Sequence, residues 1–117
     1  MGKLTYTTAE VQALLDFYNG ANTASSLANI PTSRQMVYAT VNSNQTVSVA
    51  SGLTPGKAIH VLVRNSGATD RTITIPTTGN YVSMSGASKT LPAGGWIEIS
   101  IACYANNSYN IRVGEGE

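Results

Sequence analysis

The stretch Trp96-Ile97-Glu98-Ile99-Ser100-Ile101-Ala102-Cys103-Tyr104 decides the fold class. Ile97, Ile99, Ile101 and Cys103 fall on alternate positions, with Trp96, Glu98 and Ser100 between them. Successive side chains of a strand point to opposite faces of a sheet, so the pattern predicts a long strand with one buried face. Residues 109–113 repeat the alternation after Ala105-Asn106-Asn107-Ser108, a run of turn-forming types, and the two stretches together predict a hairpin.

The same period continues toward the N-terminus. Lys89-Thr90-Leu91 and Tyr81-Val82-Ser83-Met84 read as short strands separated by Ser85-Gly86. Arg71-Thr72-Ile73-Thr74-Ile75 reads as a strand closed by Pro76, which has no N–H to give a ladder. Ala58-Ile59-His60-Val61-Leu62-Val63 follows the break Gly52-Leu53-Thr54-Pro55-Gly56, a turn that is also similar to loops of fibronectin type III-like domains. Residues 36–41 and 46–49 flank Asn42-Ser43-Asn44-Gln45 and predict a first hairpin. Ile59, Val61, Val63, Ile73, Ile75, Val47 and Val49 are expected in the core, while Leu62, Val37 and Tyr38 are expected to leave apolar surface outside it. These signals predict a mainly β chain, an antiparallel β-sandwich or jelly roll of seven or eight strands.

One segment has a different period. Thr7 and Glu10 have the spacing of a capping box, and Tyr6 with Val11 that of a hydrophobic staple. Val11, Leu14, Leu15 and Tyr18 then recur at i, i+3, i+4 and i+7, before Asn19-Gly20 supplies helix-ending residue types. This predicts a short amphipathic helix over residues 1–20, a linker over 21–35 and a β domain over 36–117. A helix of about three turns is not stable alone in water, so its stripe needs a surface to cover it. Val11, Leu14, Leu15 and Tyr18 are therefore the expected oligomerisation surface.

Composition excludes several functions. The 117 residues fit one domain, and only 11% of them are charged, against about 25% in ordinary globular proteins. With a net charge of +1 and scattered Lys and Arg, no basic footprint for nucleic acid or anionic membrane exists. The opening Met1-Gly2-Lys3-Leu4 shows neither a signal-peptide core nor a myristoylation site, and no apolar run is long enough for a membrane span. Synthesis in a cytoplasm without membrane insertion is expected. Cys103, the single cysteine, allows no intramolecular disulfide.

Catalytic groups are few. His60 is the only histidine, so one subunit cannot build a multi-histidine metal site, and no Asp-rich loop suits calcium. Ser, His60 and Asp70 all occur, but without a Gly-x-Ser-x-Gly elbow. Cys103 continues the inward row of isoleucines and reads as a buried thiol. Of the carboxylates, only Asp70 and Glu98 fall within the β domain, and nothing in the sequence brings them together. No catalytic residue, metal or cofactor is expected. Aromatic residues offer a further reading, because Trp96 with Tyr38, Tyr81, Tyr104 and Tyr109, beside Asn106 and Asn107, could form a stacking platform for a carbohydrate, although packing in the core or at a subunit interface is the commoner use of such residues.

The run Leu4-Thr5-Tyr6-Thr7-Thr8-Ala9-Glu10-Val11-Gln12-Ala13-Leu14-Leu15-Asp16 resembles the opening helix of fibre and appendage proteins from phages and prophages of gut Bacteroidales. Gly79-Asn80-Tyr81-Val82-Ser83-Met84-Ser85-Gly86 and Leu91-Pro92-Ala93-Gly94-Gly95-Trp96-Ile97-Glu98-Ile99-Ser100 look like the β domain that follows in them. The resemblance implies a non-enzymatic virion protein, a homotrimeric head- or tail-fibre component that contacts other virion proteins. A carbohydrate- or receptor-binding β-sandwich module, meeting a glycan of the host surface, is the alternative.

Overall fold

The computed structural model describes residues 7–9 and 22–114. The expected helix, with Val11, Leu14, Leu15 and Tyr18, lies outside the described residues except at its start, where Thr8 and Ala9 are helical and exposed. The described residues contain nine strands: β1 (Asn22–Ala24), β2 (Met36–Val41), β3 (Gln45–Thr46), β4 (Ala58–Asn65), β5 (Arg71–Thr74), β6 (Tyr81–Ser83), β7 (Ser88–Leu91), β8 (Trp96–Ala105) and β9 (Ser108–Val113). They form a six-stranded sheet in the order β1-β2-β4-β8-β9-β6 and a three-stranded sheet in the order β3-β5-β7.

The expected hairpin of β8 and β9 is present, with Ile101 opposite Ile111 and a register irregularity between Cys103 and Ala105. Asn107 takes a left-handed conformation in its turn, with φ of 57°. Asparagine tolerates that region because its short polar side chain can hydrogen-bond locally.

The expected hairpin of residues 36–41 with 46–49 does not form. β2 instead pairs in parallel with β4, Val37 opposite Val61, and β3 pairs in parallel with β5 in the other sheet. The polar residues between β2 and β3 explain the crossing. Asn44 Oδ1 accepts a hydrogen bond from Thr72 N at 2.9 Å, and Gln45 Oε1 accepts one from Leu27 N at 2.9 Å. Both partners lie beside the second sheet, so the turn carries the chain across instead of folding it back.

The sheets are consequently mixed, not antiparallel. β1 runs parallel to β2, and β6 parallel to β9. Residues 21–35, expected as a linker, carry β1 and two core side chains, Leu27 and Ile30. Ile30 bridges Val49 in parallel, Ile30 N donates to Ser48 O at 2.9 Å, and Ser48 N donates to Leu27 O at 2.9 Å. From β1 to β5 the chain therefore winds as a coil, alternating between the two sheets and laying each pass parallel to the one before.

One apolar cluster draws on both sheets. Val37, Val61, Ile99 and Ile111 from the larger sheet join Ile73 and Leu91 from the smaller, with Val47, Leu27 and Ile30 beside them. Fully burying a side chain of this size contributes roughly 1.5–3 kcal/mol. Val37 faces this core, so the expectation of Val37 on the outer surface is corrected: successive strand residues point to opposite faces, and it is its neighbour Tyr38 that points outward, with Met36 and Thr40.

Candidate functional site

The face of the six-stranded sheet turned away from the core carries Trp96, one of the aromatic residues expected from sequence to meet a ligand. Register places Met36, His60 and Ser100 in one row, Tyr38, Leu62 and Glu98 in the next, and Thr40, Arg64 and Trp96 in a third. β4, in the middle, is parallel to β2 and antiparallel to β8, and on its outer face Leu62 is buried between half-buried His60 and Arg64. Leu62 is accordingly 0% exposed, not the surface residue that alternation alone suggests.

Tyr38 and Trp96 stand two strands apart, yet their rings stack with centroids 5.6 Å apart and an interplanar angle of 20°. To meet, both must lean over β4. The Arg64 guanidinium carbon lies 5.7 Å from the Trp96 ring centroid, a cation–π arrangement, while its Nε is buried without a hydrogen-bond partner. Trp96 is only 5% exposed and offers no open ring face to a sugar.

The other expected ligand residues are distributed over two regions. Tyr81 packs against the core, tilted on Tyr109 with centroids 5.6 Å apart, and its hydroxyl accepts a hydrogen bond from Val49 N at 3.1 Å. Tyr104, 58% exposed, lies near the end of β8, and exposed Asn106 and Asn107 form the turn that follows. Trp96 and Tyr104 sit eight positions apart on β8, about 27 Å along an extended strand. Tyr104, Asn106 and Asn107 are thus exposed near-neighbours in sequence at one end of β8, with Trp96 at the other.

His60 Nδ1 lies 3.2 Å from Ser100 Oγ on the outer face. Asp70 is not the third member of a triad. It lies beyond the far end of β4, where its carboxylate accepts a hydrogen bond from Ala93 N at 3.1 Å. Cys103 is buried, as the inward row predicts, and its thiol donates to Ala105 O at 3.1 Å. Burial raises the Tyr109 phenol above its ordinary range, with smaller contributions from Cys103 and Tyr81. Among the described residues, no group of three or more His, Cys, Asp or Glu could hold a metal ion.

Sequence reading missed Asn65, the one buried polar residue of the described chain. Its amide nitrogen donates to Thr69 O at 2.8 Å, Leu91 O at 3.1 Å and Pro92 O at 3.3 Å, and its carbonyl accepts from Gly67 N at 2.9 Å. Asn65 thereby ties the end of β4 to the β7–β8 connection, which leads into Trp96 at the start of β8. The only signal was an asparagine closing an apolar run, a pattern shared with ordinary turns.

Comparison with family models, with curated proteins and with solved structures finds no match.

Proposed function

We propose that the protein is a non-enzymatic structural component of a phage virion, a small head- or tail-fibre part that assembles as a homotrimer. The resemblance of residues 4–16, 79–86 and 91–100 to fibre and appendage proteins supplies the family reading. In this reading the two sheets close as a β-sandwich body, and subunits meet through apolar surface left outside it.

The observation that carries the reading is the surface at β6. Val82 is 45% exposed and Met84 59%, on and just beyond a strand that forms the edge of the larger sheet. An edge strand with exposed apolar side chains is a template for another chain unless something covers it. Sedimentation equilibrium on the full chain is expected to give a trimer, converted to folded monomer by Val82→Lys with Met84→Lys. A strictly monomeric parent overturns the reading.

A carbohydrate-binding role is the second reading, favoured by exposed Tyr104 near the end of β8 and exposed Asn106 and Asn107 in the turn that follows. Binding to a glycan array that disappears in Tyr104→Ala would establish it, and an empty array would remove it.

A further inference from the structure

The outer face of the six-stranded sheet is open over β9, β6 and the end of β8. Register places Ala102, Asn110 and Val82 in one row of that face and sets Arg112 opposite Ser100 in the next. Tyr104 follows inward-facing Cys103 on β8 and therefore belongs to the same outer face. Ala102, Tyr104 and Arg112 are exposed, and Val82 is partly so. Half-buried Asn110 stands among them, with its Oδ1 buried and without a hydrogen-bond partner.

These groups have the properties that a sugar uses. Tyr104 offers a ring with an apolar face and a polar edge, on which a pyranose can lie. Ala102 is short, so it leaves space above Asn110 on the neighbouring strand. A buried polar atom without a partner is costly until a donor reaches it, and turning the Asn110 amide about its last torsion carries Oδ1 toward a ligand hydroxyl. Asn106 and Asn107, exposed in the turn after Tyr104, add further amides.

Charge narrows the class of sugar. β6 and β9 together carry one charged residue, Arg112. Its guanidinium is a planar fork that takes a carboxylate through two parallel hydrogen bonds. We propose that this face binds an acidic oligosaccharide, with one ring stacked on Tyr104, a hydroxyl on Asn110 and the carboxylate of a uronic or sialic acid unit held by Arg112. Tyr104 and Arg112 are about 14 Å apart between Cα atoms, from the rise of four strand positions and one strand spacing. The ligand is consequently a chain of sugars and not a single ring. An acidic peptide matches the charge but not the placement, because extended peptides add to a sheet edge through backbone bonds, and these groups stand on a face.

The inference rests on the carbohydrate reading above and deepens it. Its residues lie on β8 and β9, inside the edge that β6 forms.

The test applies the full chain to an array of uronate- and sialate-bearing oligosaccharides, each printed beside the same chain with its carboxyl groups reduced to alcohols. Acidic chains should be retained over their reduced forms. Arg112→Gln should weaken binding of the acidic chains about tenfold and leave the reduced forms unchanged. Tyr104→Ala should remove binding of both, and both substitutions fall at exposed positions, where the fold is expected to persist. Equal retention of acidic and reduced chains, or an Arg112→Gln protein that binds acidic chains as the parent does, overturns the acidic assignment while the carbohydrate reading stands. An empty array overturns both. Competition by polyglutamate as strong as that of an acidic oligosaccharide overturns the sugar and leaves charge alone as the attraction.

Discussion

At the scale of the residue, Asn65 shows how much one polar side chain can hold. Its amide meets three carbonyl oxygens and one N–H while wholly buried, so the group is satisfied only as an amide. Asn65→Asp replaces two donor hydrogens by a carboxylate facing carbonyl oxygens. The expected cost is on the order of 3 kcal/mol at neutral pH, read from urea unfolding. Burial disfavours the charged form and raises the carboxyl pKa in the folded state, so the variant should recover part of the loss as pH falls and the acid protonates. A loss independent of pH would show that the charge of the carboxylate is not its cause. The aromatic stack offers a matching lesson about legibility. Alternation placed Trp96 on the outer face correctly, but its burial depends on Tyr38, two strands away and distant in sequence.

At the scale of the element, strand positions were largely legible and strand partners were not. Alternating apolar residues report which face is buried, a property of the strand alone. β8 and β9 also announced their pairing, because a short turn leaves antiparallel neighbours little alternative. Between β2 and β3 the same kind of turn serves a crossing, decided by bonds from Asn44 and Gln45 to partners that no local pattern identifies. Gln45→Leu tests this. It keeps the side-chain bulk, leaves Leu27 N without its acceptor, and should cost about 1–3 kcal/mol in chemical denaturation. A neutral result would mean that the backbone ladder from Ile30 to Ala50 holds the crossing by itself.

At the scale of the whole molecule, sparse charge makes the buried Tyr109 phenol an informative group. Tyr109 is held above its ordinary range by burial first, then by Cys103 and Tyr81. In the unfolded chain the phenol loses its proton near its usual pKa of about 10, while the folded chain still retains it. The unfolded state then binds fewer protons, so stability present below that pH is lost as pH rises toward the folded-state pKa. Tyr109→Phe should flatten this alkaline decline in thermal unfolding curves from pH 9 to 11, and an identical decline in both proteins would assign it elsewhere. Among the described residues, no helix is long and apolar enough to cross a membrane.

The parallel winding has a consequence for time. β4 gains one neighbour from β2, already made, but its other from β8, which emerges from the ribosome only after β5, β6 and β7. Until then the central strand of the larger sheet presents an open ladder and a bare row of valines to the nascent chain's surroundings. Contacts so distant in sequence close slowly, on a scale of milliseconds to seconds in proteins of this kind. Synthesis can start the coil from its first turn, yet the ladder of β4 closes only once β8 has been made.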